Sequence, residues 1–232
     1  MKEAIIIAGG LGTRLQHLLP GIPKPMAPVC GKPFLYYLLS KLNKQGFTDV
    51  VLSVGHLHEH ITDYFGNDFG NMRLHYSIEH TPLGTGGAIK LALQKIEDVA
   101  VVLNGDTLFD IDLQQFYSLF LKHECDLAIA LKPMHDFERY GTVETNLHGR
   151  ITRFVEKKYL KEGVINGGIY CLRNNFFDIV KMPQAFSFEK EILENMAANL
   201  WIQGIEFQDY FIDIGIPEDY NKAQHEFAKI DN

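Results

Sequence analysis

Short apolar runs alternate along the first half of the chain with longer stretches in which apolar residues recur every three or four positions. That alternation is the pattern of repeated βα units around a mainly parallel sheet. Ala4 to Ala8, Val50 to Val54 and Val99 to Leu103 are almost wholly aliphatic and predict strands buried on both faces. Leu74 to Glu79 and Leu127 to Leu131 predict two more. Between them, Phe34 to Gly46 carries Leu35, Leu38, Leu39 and Leu42 on one face and predicts a helix. His56 to Phe65, Gly84 to Ile96 and Leu113 to His123 read the same way.

Beyond Pro133 the pattern changes. The runs Thr142 to Thr145, Ile151 to Glu156 and Gly168 to Leu172 are short and alternating, which predicts antiparallel or mixed strands. Phe188 to Asn199 and Pro217 to Lys229 predict helices, the second with proline in its first turn, and Ala228 to Asn232 is expected to fray. No linker, repeat or low-complexity tract divides the chain, so residues 1–232 are expected to form one domain. The expected fold is α/β: a Rossmann-like mixed, mainly parallel sheet flanked by helices.

Composition narrows the function. The formal charge of −7 argues against a nucleic-acid groove, which needs clustered Lys and Arg, so any bound anion must be small and met locally. Cys30, Cys125 and Cys171 are odd in number and far apart, and are expected to be reduced packing residues of a cytoplasmic protein. No apolar run approaches the ~20 residues of a membrane span, and the N-terminus has no signal-type core. Nothing in the pattern sets an oligomeric state.

The candidate chemistry begins where the first strand ends, at Ala8-Gly9-Gly10-Leu11-Gly12-Thr13-Arg14-Leu15, followed by Pro23-Lys24-Pro25. Three glycines in four positions allow positive φ and let backbone N–H groups converge on an anion. Arg14 adds a guanidinium fork, and Lys24 is restrained by a proline on either side. A dinucleotide fingerprint fails because its third glycine position is Leu15, and a P-loop fails because no Lys-Ser or Lys-Thr pair follows a glycine. The stretch reads as a loop that holds a triphosphate with two cations.

G-G-x-G-T-R-L followed by P-K-P resembles the sugar nucleotidyltransferases, which join a nucleoside triphosphate to a sugar 1-phosphate. The resemblance continues through Pro82-Leu83-Gly84-Thr85-Gly86-Gly87, Asn104-Gly105-Asp106, Glu156-Lys157, Asn166-Gly167-Gly168 and Asp213-Ile214-Gly215, and so covers nearly the whole chain. Its details are most similar to the guanylyltransferases that act on a heptose 1-phosphate. It implies the nucleotide-diphospho-sugar transferase fold, with about residues 1–110 as the nucleotide half and about 111–232 as the sugar-phosphate half. It also implies GTP and a heptose 1-phosphate as substrates, with mannose 1-phosphate as the nearest competitor.

Site roles follow in part from chemistry and in part from that resemblance. Asp106 and Asp213 each follow an apolar run, where an open α/β sheet places its ligands, and two carboxylates suit Mg2+. The resemblance implies the same metal pair. Lys24 is expected on the α-phosphate and Arg14 on the departing β- and γ-phosphates. Ala8, Gly9, Gly10, Gly12, Thr13, Asn104 and Gly105 belong to the nucleotide site, with Gly84 and Thr85 against base and ribose. Glu79 can accept both N1–H and N2–H2 of guanine, although it also reads as a strand end at the surface. The resemblance assigns Gly141, Glu156, Lys157, Asn166 and Gly168 to the sugar phosphate, while Glu156 and Lys157 also read as an exposed cross-strand pair. Lys158-Tyr159 departs from the proline that many relatives place after Glu-Lys and leaves that loop's path open.

The reaction so implied is in-line attack by a sugar 1-phosphate on the α-phosphorus. With a second pKa of about 6 the nucleophile is already an anion and needs no general base. The protein must align two anions and neutralise developing charge. Two constellations point elsewhere. His56, His58, Glu59 and His60 resemble a metal set, but only His56 and His60 have i, i+4 spacing, and a solvated helix face is expected. Asp110-Ile111-Asp112 matches the Asp-x-Asp of metal-dependent glycosyltransferases, but Asp112 stands where a helix N-cap belongs. A glycosyltransferase and a non-catalytic nucleotide-sugar sensor are the two rival functions, both discriminated by pyrophosphate release.

Overall fold

The aliphatic runs form the middle of the sheet because they alone offer apolar side chains to both faces. The structure, a computed structural model, describes residues 2–10 and 19–228. β1 (Glu3–Ile7) runs parallel to both β4 (Asp49–Val54) and β7 (Val99–Asn104), with Ile5 opposite Val51 and Val102. β6 (Met72–Ile78) continues the parallel order beyond β4, and β5 (Asp68–Phe69) closes that edge antiparallel. On the other side β12 (Leu160–Arg173) lies antiparallel to β7 and carries β9 (Leu127–Phe137) and β10 (Thr142–Thr145); β10 pairs with β11 (Ile151–Val155). β13 (Ile202–Glu206) is parallel to β9 and completes ten strands among the described residues. Two small ribbons stand off the sheet: β2 (Pro28–Val29) with β3 (Lys32–Pro33), and β8 (Thr107–Phe109) with β14 (Phe211–Asp213).

Helices cover both faces. Ala4 and Ile6 look toward α1 (Phe34–Lys44), α2 (Glu59–Phe65), α4 (Leu113–His123) and α6 (Pro217–Phe227). Ile5 looks the other way, toward α3 (Gly84–Leu93), the short α5 (Phe176–Ile179) and a π-helix over Phe188–Glu194. Ile5 and Ile6 are both fully buried, each worth about 1.5–3 kcal/mol of transfer free energy.

Three expectations are revised. The helix predicted from His56 starts at Glu59, because His58 N–H bonds back to the Gly55 carbonyl in a turn that holds Leu57 at φ 61°. The helix predicted over Phe188 to Asn199 is a π-helix ending at Glu194, its start fixed by the Ser187 hydroxyl, which accepts from Lys190 N–H. β9 and β12 run much further than their aliphatic centres, since they stay paired with each other as far as Leu160 opposite Phe137.

Segment 184–188 docks on the N-terminus of α3. Phe186 O accepts from Gly86 N–H at 3.0 Å, Phe186 N–H donates to Leu83 O at 2.9 Å, and Phe188 N–H donates to Thr85 Oγ1 at 2.9 Å. The glycines of Gly84-Thr85-Gly86-Gly87 are there for this contact. A Cβ on Gly84 would lie 2.5 Å from Phe186 O, and Gly84 sits at φ 69°. Gly84→Ala is therefore expected to cost about 2–4 kcal/mol in urea unfolding, from overpacking and left-handed strain together. Gly10→Ala meets nothing within 4 Å among the described residues and is expected to stay within about 0.5 kcal/mol of the parent.

Candidate active site

The carboxyl ends of β1, β4 and β7 converge through bare backbone. Gly9 follows β1 and lies against Gly55, which follows β4; a Cβ on Gly9 would come 3.2 Å from Gly55 N and 2.7 Å from Glu79 Oε1. Gly105, after β7, donates its N–H to Ile7 O at 2.9 Å, and a Cβ there would stand 2.5 Å from that oxygen. Neither Gly9 nor Gly10 has positive φ, contrary to the expectation from the glycine run; close approach is what Gly9 and Gly105 supply. Gly12, Thr13 and Arg14 lie outside the described residues.

A cavity of about 860 Å3 opens beside Gly9 and Gly10. Its walls are the Gly55–Glu59 turn, Ile78 to Pro82 after β6, and Gly84, Thr85 and Ala88 of α3. Glu79 lies on this wall, with Oε2 accepting from Leu83 N–H at 3.2 Å, and burial raises its pKa. Thr85 also faces the cavity, but its hydroxyl is given to Glu189 at 2.5 Å. The histidine cluster differs from expectation: His56 precedes α2 and His58 stands at its N-cap, and both line the cavity together with His80. No sequence spacing marks them as wall residues, because the turn that points them inward depends on Leu57 taking a left-handed conformation.

The charged centre lies outside that lining. Pro23 precedes and Pro25 lies within a single 3₁₀ turn, Lys24–Met26, in which Ala27 N–H donates to Lys24 O at 3.0 Å. This turn delivers the Lys24 ammonium onto Asp106 Oδ2, in an ion pair whose Lys24 side chain is only 16% exposed. Asp213 reaches the same place from far along the chain because β14 pairs with β8, setting Asp213 opposite Thr107. Its Oδ1 accepts from Gly215 N–H at 2.7 Å. Burial first, and the Asp106 charge second, hold the Asp213 carboxyl above the usual range, while Lys24 opposes them. A Cβ on Gly215 would stand 2.7 Å from Asp213 Oδ1 and 3.0 Å from Lys24 Nζ, so these groups share one small space. Tyr140, which the sequence reading passed over, packs edge-on to Phe211, and burial followed by the charge of Asp213 pushes its phenol up.

The residues expected to hold a sugar phosphate gather on neighbouring rungs. Thr142 pairs with both Val155 and Ile165, which puts Gly141, Glu156 and Asn166 at one end of that ladder. Glu156 and Lys157 are exposed there. Asn166 Oδ1 accepts from Gly168 N–H and its Nδ2 donates to the Tyr170 hydroxyl, both at 2.9 Å. Gly168, at φ 73°, leaves room for the Asn104 amide, which a Cβ would meet at 2.8 Å. Tyr170 is the second residue missed: fully buried, it ties Asn166 to Asn104.

Asp110 and Asp112 are used otherwise. Lys41 donates to Asp110 Oδ1 and to Ile111 O, both at 2.7 Å, and Asp112 Oδ1 caps α4 by accepting from Gln114 and Gln115 N–H at 2.9 Å.

Glycine-lined strand ends, a deep cavity and a lysine set against two converging carboxylates define an enzyme of the nucleotide-diphospho-sugar transferase fold that works on phosphates. The chain belongs to the nucleotidyl transferase family, whose model matches residues 3–230. It is similar to D-glycero-alpha-D-manno-heptose 1-phosphate guanylyltransferase of Aneurinibacillus thermoaerophilus, 49% identical over 97% of each chain. Its counterpart in Campylobacter jejuni is 48% identical over 94% of this chain and 96% of its own. The crystal structure of HddC from Yersinia pseudotuberculosis complexed with GMP-PN superimposes with a TM-score of 0.86 at 39% identity, over 98% of this chain and all of that one.

The capping geometry makes a direct prediction. Asp112→Ala should lower stability by about 1 kcal/mol in urea unfolding and leave calorimetric Mg2+ affinity at the parent value. A fall in metal affinity would instead make Asp110 and Asp112 a ligand pair.

Proposed function

We propose that the protein transfers GMP from GTP to D-glycero-alpha-D-manno-heptose 1-phosphate, releasing pyrophosphate and forming the GDP-sugar. The observation that carries the chemistry is the convergence of Lys24, Asp106 and Asp213 next to the Gly9–Gly10 strand end. The choice of GTP and heptose is supported by the 49% identity to a heptose 1-phosphate guanylyltransferase and by the GMP-PN bound in the HddC structure. The first half of the chain, about residues 1–110, takes the nucleotide, and about 111–232 takes the sugar phosphate.

Asp106 and Asp213 are the residues that would hold Mg2+. They fit it in donor type: two carboxyl groups converge on one small space, where burial and then the Asp106 charge push the Asp213 carboxyl up, and a hard divalent ion would relieve that repulsion. When bound, the metal supplies charge neutralisation at the reacting phosphates. Gly9 and Gly10 let the phosphates approach the backbone; Ala8 and, on the sequence pattern, Gly12 and Thr13 are assigned to the same nucleotide site. Lys24, poised beside Asp106, meets the negative charge that builds on the α-phosphate during in-line attack. Arg14 is assigned to the departing β- and γ-phosphates on the sequence pattern. The cavity takes the nucleoside, with Glu79 on its wall as the acceptor for guanine, Gly84 and Thr85 nearby, and Asn104 and Gly105 at its phosphate end. Glu156, Asn166, Gly141 and Gly168 bind the acceptor sugar, and Lys157 reaches its phosphate.

Pyrophosphate release from a matrix of GTP, ATP, CTP, UTP and dTTP against heptose, mannose and glucose 1-phosphates tests the reading. GTP with the heptose 1-phosphate is expected to be fastest, and a preference for dTTP or UTP would overturn the guanine assignment. Lys24→Ala is expected to lower kcat by about 100-fold or more while the melting midpoint moves by only a few degrees. Chelation should abolish turnover, and added Mg2+ should restore it.

A further inference from the structure

The turn between β4 and α2 is held in a costly form. Leu57 takes a left-handed φ of 61°, which crowds the Cβ of a bulky residue, and the turn is closed by His58 N–H donating to Gly55 O at 3.1 Å. Strained residues of this kind collect at ligand-binding positions. Here the strained turn forms part of the cavity wall.

His58 is poorly used by the fold itself. It occupies the N-cap of α2, a place that favours Ser, Thr, Asp or Asn, yet its side chain caps no backbone N–H. Its Nδ1 is buried with no hydrogen-bond partner among the described residues, and its Nε2 stands 3.6 Å from Glu59 Oε1. An imidazole nitrogen kept from water and left unpaired is unfavourable until a partner arrives. Ser53 and Ser77, the other described side chains in that condition, lie within β4 and β6 and do not line the cavity; His58 does.

The rest of the wall indicates the partner. Glu79 is an acceptor for N1–H and N2–H2 of guanine, which leaves O6 and N7, two neighbouring acceptors, to be met by donors. Lys, Arg, Asn and Gln are absent from the wall among the described residues. Its side-chain donors are the imidazoles of His56, His58 and His80 and the hydroxyls of Thr81 and Thr85, of which Thr85 is already given to Glu189. His56, His80 and Thr81 are exposed, so water satisfies them before a ligand does. Of this set His58 has the most to gain from a base.

We propose that His58 is a base-specificity residue: a ring N–H, brought into the cavity by rotation about the broad χ2 torsion, donates to O6 or N7 of guanine. The assignment rests on the guanylyl transfer reading given above. Adenine would place its 6-amino donor against the same N–H and be disfavoured.

Calorimetric affinities are measured for the parent, His58→Phe and His58→Asn with four nucleotides: GTP, 6-thio-GTP with a weakened O6 acceptor, 7-deaza-GTP without N7, and ITP without the 2-amino group. The parent is expected to lose about 10-fold in affinity with 6-thio-GTP or 7-deaza-GTP, and the analogue that does this names the acceptor. His58→Phe should bind GTP about 10-fold more weakly and no longer distinguish it from that analogue, while His58→Asn, which keeps an N–H donor, should recover part of the difference. ITP should weaken parent and variants alike, because it probes the Glu79 edge, and the KM of the sugar 1-phosphate should stay at the parent value. A parent indifferent to both 6-thio-GTP and 7-deaza-GTP, or a His58→Phe variant that keeps the parent's discrimination, would overturn the assignment. If His58→Phe does not fold, His58→Leu takes its place, and the parent's response to the two analogues can overturn the assignment without any variant. A parent that binds UTP or dTTP more tightly than GTP defeats the guanine reading and the role of His58 with it. A parent that binds GTP but releases no pyrophosphate from any pair defeats the transfer reading instead, and the calorimetric comparison still decides His58.

Discussion

Backbone must touch backbone at the carboxyl ends of β1, β4 and β7, and most of the site follows from that. Gly9 rests on Gly55, and Gly105 hydrogen-bonds to Ile7 with no room for a side chain. A side chain at Gly9 or Gly105 would push the loops apart. The three strands can end in such tight loops because their aliphatic bodies, buried on both faces, hold them parallel and in register.

What the second half adds is reach. β14 crosses to pair with β8 and carries Asp213 to Asp106, and segment 184–188 docks on the glycines of α3. Two like charges are thereby forced together in a partly buried place, with Lys24 as the local counter-charge. That arrangement raises the electrostatic free energy of the site by itself, and a cation bound between the two carboxyl groups would lower it. The buried Tyr170 hydroxyl joins Asn166 to Asn104, two residues before Asp106.

The first half was legible because parallel strands buried on both faces leave unmistakable aliphatic runs, and because helices on one face repeat Leu at regular spacing. β13 was not, since Gln203 and Gly204 interrupt its apolar run; both are explained by the hairpin tip, where Gln203 donates to His148 O and Gly204 N–H to Gly149 O. The full length of β12 was hidden by Gly163 and Gly167, which make room for the rings of Phe137 and Phe109. Lys24, Asp106 and Asp213 could be picked out as motifs, but their contact depends on a ribbon between residues more than a hundred positions apart. Tyr170 carries no motif, and only the pairing of β12 with β7, which sets it opposite Val102, brings its hydroxyl beside Asn166.

A crystal grown with a non-hydrolysable GTP analogue and Mn2+ in place of Mg2+, with anomalous scattering to locate the metal, addresses the centre most directly. The account predicts an anomalous peak bound by the carboxylates of Asp106 and Asp213, with an α-phosphate oxygen within hydrogen-bonding distance of Lys24 Nζ. A metal bound away from both carboxylates, or a triphosphate lying out of reach of Lys24, would contradict it.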